Sequence, residues 1–286
     1  MKKISTLLVV AFGLFAMNAQ DFRGVATYVS KTSTDDIKLD SPQITPEMKE
    51  MIQEQMRLMS EKTFTLSFDK NTSLYEEEVV LAPGGGGMFE GMRMMSNTMY
   101  GGVYYKNTKD KVFIQEREIF GKEFLIKDSL QVFEWQLGTE TKQVGNYMCY
   151  KATAVVPFDL TDFKNMTRKE AKDDKEKEEQ ENSTNFLDMI DVPSEVVITA
   201  WYTPQIPIAQ GPSNYWGLPG LIMEISSGKT TILCSKLVIN PKDKKEIKVP
   251  KNGKVVTQKE FQEIMMEKME ELQKMGRGQG RRGRGF

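Results

Sequence analysis

There is no histidine anywhere in the 286 residues. The commonest general base near neutral pH and the commonest metal ligand are therefore both missing. Any Ser-His-Asp, Cys-His or zinc–histidine mechanism is excluded by composition alone. Cysteine is scarce as well, represented only by Cys149 and Cys234. Net charge is almost absent: 39 basic against 40 acidic side chains leave −1, which argues against the whole chain binding nucleic acid. Beyond Phe15 no apolar run is long enough to span a bilayer, so no transmembrane segment is expected in the mature chain. The hydrophobic share, 39%, predicts an ordinary core carrying solvated insertions. Nothing in the pattern calls for a metal or a cofactor.

The first residues read as an export signal. Lys2 and Lys3 precede an apolar run from Ile4 to Phe15, too short for a membrane span, and a cut after Ala19 leaves Gln20 first. No cysteine follows the run, so a lipid anchor is not expected. The expected location is the periplasm or cell envelope, or outside the cell.

From residue 20 to residue 256 the pattern is that of a single antiparallel-sheet domain. Short alternating segments are separated by polar turns, without the regularly interspersed helices that a parallel sheet needs. Expected strands include Phe22–Ser30, Thr63–Phe68, Ser73–Leu81, Met99–Tyr105, Lys111–Glu116, Glu123–Lys127, Val132–Leu137, Tyr147–Val156, Glu195–Tyr202, Leu221–Ser226 and Thr230–Ile239. Thr45 before Pro46 marks a helix start, followed by Met48, Met51, Ile52, Met56 and Met59 at helical spacing. Solvated insertions are expected at 83–99, which is rich in glycine and methionine, and at 163–185, which is nearly all charge. Thioethers can hold soft ions such as Cu(I), but packing and loop roles outweigh a metal role for these methionines. Thr257 and Glu260 form a capping box that opens an amphipathic helix over 257–275, with Phe261, Ile264, Met265, Met269, Leu272 and Met275 on one face. The Arg/Gly-rich residues 276–286 are expected to be a disordered tail.

Cys149 and Cys234 both fall in expected strands. In an oxidising compartment they can pair, provided the two strands are neighbours; otherwise they pack as two buried thiols. Both readings remain open at this level.

The densest stretch is Gly211-Pro-Ser-Asn-Tyr-Trp-Gly-Leu-Pro-Gly-Leu-Ile-Met-Glu-Ile225. Pro219 and Gly220 suit the two central positions of a type II turn, with positive φ at Gly220. Tyr202, Tyr215, Trp216, Leu218 and Leu221 are the candidate wall of an apolar ligand site, weighed against simple core packing of large aromatics. Glu224 is the one titratable side chain within the hexapeptide and the strand it launches. By strand alternation it points away from Met223 and Ile225.

The hexapeptide Gly217-Leu218-Pro219-Gly220-Leu221-Ile222 resembles the signature of the GLPGLI family of exported bacterial envelope proteins, whose activity is unassigned. Phe64–Phe68, Ser73–Tyr75, Phe124–Asp128, Trp135, Gly145–Ala152, Ala200–Thr203, Ile206-Pro207 and Gly211-Pro212 are similar to the rest of its pattern. The likeness spans about Val25 to Ile239 without the charged insertion. It implies no catalytic residue. The expected architecture is mainly β with flanking helices (α+β): a curved antiparallel sheet forming an open half-barrel like that of periplasmic lipoprotein carriers. The expected function is non-enzymatic binding of a lipid or apolar peptide on the concave face. The alternative is a scaffold that docks outer-membrane proteins or export machinery. A hydrolase is the remote third reading.

Overall fold

The computed structural model describes residues 22–34, 45–78, 102–119, 121–162, 166–169, 190–243 and 246–282. The segment expected to be an export signal, the glycine–methionine stretch, most of the charged stretch and the last four residues lie outside these. In chain order the elements are β1 (Arg23–Thr32), α1 (Pro46–Ser60), β2 (Glu61–Asp69), β3 (Thr72–Glu77), β4 (Val103–Asn107), β5 (Val112–Ile119), β6 (Lys122–Ser129), β7 (Gln136–Val144) and β8 (Tyr147–Pro157). There follow β9 (Thr167–Arg168), β10 (Ile190–Asp191), β11 (Glu195–Thr203), β12 (Leu221–Ser227), β13 (Thr230–Ile239), β14 (Lys254–Val256) and α2 (Gln258–Arg282).

A 12-stranded sheet runs in the order β14-β6-β5-β4-β3-β2-β1-β13-β12-β11-β8-β7. Its pairs are antiparallel except β14 with β6, so the sheet is mixed by one short edge strand. The sheet is open and curved, and the fold is mainly β with helices, as the sequence pattern leads one to expect. β1 is the seam. Its strict alternation buries Ala26, Tyr28 and Ser30 on one face. It joins β2 on one side and β13, from the far end of the chain, on the other. Bulges at Thr27/Tyr28 and Trp201/Tyr202 increase the local twist. The curl is deep enough that side chains of β4 and β5 share a cavity with those of β11, β12 and β13.

Two helices flank the sheet. The Thr45 hydroxyl accepts from the Met48 amide at 3.3 Å, capping α1, which lies against β1 and β2. Of its methionines, Met48 and Met51 face solvent, while Ile52 and Met56 are half-buried. The Thr257–Glu260 capping box closes in both directions: Glu260 N–H donates to Thr257 Oγ1 at 3.2 Å, and Thr257 N–H donates to Glu260 Oε2 at 2.7 Å. Phe261, Met265 and Met269 are buried, and Phe261 meets the Phe124 ring edge-on, so this face packs on β6. The helix continues to Arg282, past the Met275 end that the apolar spacing suggests and into the segment expected to be a disordered tail. No helix among the described residues is long and apolar enough to cross a membrane.

The segment expected as a strand over Val132–Leu137 differs. The ladder begins at Gln136 and continues through Val144, across the polar stretch between the strands expected at Val132–Leu137 and Tyr147–Val156. Val132 is exposed and Phe133 buried, which mimics strand alternation, but the indole of Trp135 is tied to the Trp216 carbonyl rather than the backbone to a neighbouring strand. β7 itself is an edge strand with mostly exposed residues, so it lacks the apolar period that marks a strand.

Candidate functional site

The signature loop between β11 and β12 is anchored from several sides. Leu221 N–H donates to the Ile206 carbonyl at 2.9 Å, and Ile222 N–H to the Gln210 carbonyl at 3.0 Å. The Tyr28 hydroxyl donates to the Ile222 carbonyl at 2.7 Å. The two indoles interlock with the neighbouring connection: Trp135 Nε1 donates to the Trp216 carbonyl at 2.9 Å, and Trp216 Nε1 to the Gln131 carbonyl at 2.7 Å. Gly220 does not adopt the positive φ expected of it; that conformation belongs to Gly217, at 95°. Gly220 is needed for close approach. A Cβ there would collide with the Thr203 carbonyl oxygen, and would lie 2.6 Å from its carbon and 2.9 Å from Pro204 N.

Lys106 completes the anchoring. It is fully buried, and its Nζ donates to the carbonyls of Gly211 and Ser213 at 2.6 Å each and of Tyr215 at 2.8 Å. Burial pushes its pKa well below the usual lysine value. The carbonyls pull the other way. An ammonium has three N–H donors for three acceptors, whereas a neutral amine has only two. Nothing in the sequence singles out Lys106 beyond its place in a strand, two residues from Tyr104 and so on the same face.

Below this loop the concave face holds a cavity of about 550 Å³. One wall is apolar and built by inward positions in register: Val156 opposite Val196, and Ile225 opposite Ile232, with Ile198 beside them. The other wall is polar and comes from β4 to β6 and the turn after β8. Phe113, Gln115 and Arg117 alternate inward along β5, and the Tyr104 ring stacks on Phe113 at 5.2 Å. Asp128, Asp159, Asp162 and several amide side chains, including Gln258 and Gln262 of α2, complete the lining.

The charged groups differ in how far they are committed. Arg117 lies over the Phe261 ring at 5.2 Å. Burial pushes its pKa down to about 10, and the carboxylates of Asp159 and Asp162 oppose that shift. Asp128 spends both oxygens at the start of α2 and the end of β6, accepting from Gln258 N–H at 3.1 Å and Ser129 N–H at 2.8 Å. Asp159 uses only Oδ1, which accepts from the Thr161 amide at 2.8 Å and hydroxyl at 2.7 Å. Burial, with a smaller contribution from Asp159, raises the pKa of Tyr104.

Of the residues assigned to a ligand wall from sequence, Tyr215 lines this cavity. Tyr202, Leu218 and Leu221 are buried in the closed core, and Trp216 is half-buried against the Gln131 connection. Glu224 is turned to the convex side. It is held by Lys142 Nζ at 2.6 Å to each carboxylate oxygen, and the same ammonium sits 4.5 Å over the Trp201 ring. Cys149 and Cys234 are free and buried. The disulfide left open by the sequence is not formed, because β11 and β12 lie between their strands. Burial pushes the thiols up to about 11 and about 12, respectively, so neither is an activated nucleophile. Among the described residues no group of carboxylates and cysteines is placed to hold a metal ion. Arg117 and Asp159 escape sequence reading because they are ordinary surface residue types, brought together only by the curl of the sheet.

Comparison with known proteins gives little more. A family model described as a protein of unknown function (Porph_ging) matches residues 135–224, from Trp135 to Glu224 in the signature strand. No curated protein matches. Two solved structures of PNGF-II, in space groups C2 and P21, are similar to 85% of this chain at 13% and 12% identity, each with a TM-score of 0.46. The chain spans about a third of their length, 32%.

Proposed function

We propose that this protein is an exported, non-enzymatic envelope protein of the GLPGLI type, and that it binds an amphipathic small molecule or peptide segment in its concave cavity. The observation that carries this reading is the cavity of about 550 Å³, a size suited to a small-molecule ligand, with an apolar wall facing a polar one. The mixed lining favours a ligand with a polar head and an apolar body over the wholly apolar one suggested by the signature aromatics. The absence of histidine, the raised thiols, and the engagement of Lys106 and Glu224 in structural contacts all support binding rather than turnover.

The test is calorimetric titration of the mature protein with three decyl-chain compounds differing in head group: decanoate, decylammonium and decyl maltoside. At least one is expected to bind saturably. Val196→Trp, at a half-buried lining position, is expected to lower that affinity by about ten-fold or more while leaving the melting temperature within a few degrees. Absence of saturable binding by all three and by an apolar lysine-containing peptide, or unchanged affinity in Val196→Trp, overturns the reading.

A further inference from the structure

The cavity's charge is lopsided. Among the described lining residues, Asp128, Asp159 and Asp162 face one guanidinium, Arg117. An anionic head group would have to recruit Arg117. That side chain is already engaged by the Phe261 ring and lies close enough to Asp159 and Asp162 for both to oppose its shift. An added anion would meet those same carboxylates. Asp128 is committed to the start of α2.

Two acceptors lie together on the polar wall. Asp159 Oδ2 takes no hydrogen bond among the described residues, because the Thr161 amide and hydroxyl both converge on Oδ1. Tyr104 is only 8% exposed and lines the cavity, yet its hydroxyl makes no hydrogen bond among the described residues. A hydroxyl opening onto the cavity beside a half-used carboxylate offers two acceptors to a donor arriving with a ligand.

We propose that the cavity selects ligands carrying a protonated amine or guanidinium on an apolar body, with Asp159 Oδ2 and the Tyr104 hydroxyl accepting from the cationic head. The apolar body lies along Val196, Ile198, Ile225 and Ile232. This inference rests on the preceding reading of the cavity as a binding site and adds its selectivity. A free alkylamine and the lysine side chain of an apolar peptide present the same chemistry.

The experiment compares decylammonium, decanoate, decyl maltoside and the peptide acetyl-Leu-Leu-Lys-Leu-amide by calorimetry on the mature protein. The expected result is that decylammonium or the lysine peptide binds at least about ten-fold more tightly than decanoate and decyl maltoside. Whichever of the two binds identifies the source of the cation. Asp159→Asn keeps the acceptor for Thr161 and is expected to erase the preference, with a loss of a few degrees in melting temperature because Arg117 keeps Asp162 nearby. Tyr104→Phe keeps the ring stack and is expected to weaken the cation several-fold. If decanoate or the maltoside binds as tightly as the cations, or if Asp159→Asn leaves the preference intact, the selectivity is overturned while the binding reading stands. If nothing binds, both fall.

Discussion

Lys106 is the residue on which the signature loop depends most. A lysine in a fully buried position is costly unless its ammonium is fully hydrogen-bonded, and here three backbone carbonyls meet that condition. The reverse dependence is as strong. Gly211, Ser213 and Tyr215 turn their carbonyls toward it, and without the ammonium these acceptors lose their partner. Lys106→Met removes the charge and leaves the acceptors orphaned. The expected loss is about 2–4 kcal/mol, since an orphaned buried acceptor costs about 1–3 kcal/mol and a part-buried one less. A urea midpoint shifted by less than would correspond to about 1 kcal/mol would show that the loop is held by its other contacts alone. Lys142, which also carries a short ion pair, is the internal control. Its Nζ lies 2.6 Å from Glu224, with the lysine side chain 34% and the glutamate 15% exposed, so Lys142→Met should cost about 1–2 kcal/mol, less than Lys106→Met.

At the scale of elements, the loop and strand of the hexapeptide show why a glycine can be recognised in a sequence for the wrong reason. Gly217 carries the positive φ of 95°, while Gly220 sits against the Thr203–Pro204 backbone. The two therefore respond differently to alanine. Gly217→Ala incurs backbone strain only, roughly 1–2 kcal/mol, since the nearest atom to its Cβ is Trp135 Nε1 at 3.7 Å. Gly220→Ala drives a methyl into rigid backbone and should cost about 3 kcal/mol or more, at the upper end of overpacking penalties. Equal midpoints for the two variants in urea would contradict this assignment. The same loop marks the limit of what is legible in the chain. β1, β2, β8, β11, β12 and β13 announce themselves because one face or both are buried and the apolar period survives. The caps of both helices are equally plain, since Thr45 and the Thr257–Glu260 box act locally. β7 is invisible because an edge strand with mostly exposed residues has no such period, and β14 because three residues carry no pattern. The cavity is hidden for a different reason. Its lining comes from inward positions on strands far apart in sequence, and only their register brings them together.

At the scale of the whole molecule, the sheet encloses an unusual density of groups that must stay neutral. Burial pushes Cys149 up to about 11, and Cys234 and Tyr215 up to about 12. It raises Tyr28, Tyr75 and Tyr104 as well. Between the ordinary pKa of each group and its raised value, the folded protein keeps a proton that the unfolded chain has released. The folded state then binds more protons, and the free energy of unfolding falls as pH rises. The stabilisation is fully present below about pH 9, the ordinary thiol value of 9.0, and is lost on approaching 11 and beyond. Lys106, whose pKa is shifted downward, contributes the opposite slope toward its ordinary value of 10.5, but one lysine does not reverse two thiols and four phenols. For Cys149 alone, a shift from 9.0 to about 11 corresponds to a loss of about 2 kcal/mol at pH 11. Urea midpoints at pH 8.0 and 10.5 should therefore fall steeply, and Cys149→Ala should flatten the early part of that fall, because the thiols titrate before the phenols. A midpoint that stays level across this range, or a slope unchanged in Cys149→Ala, would mean that the interior admits water and charge more freely than its burial indicates. In that case the cavity and the core around it would form one wet compartment rather than a polar site set in a dry sheet.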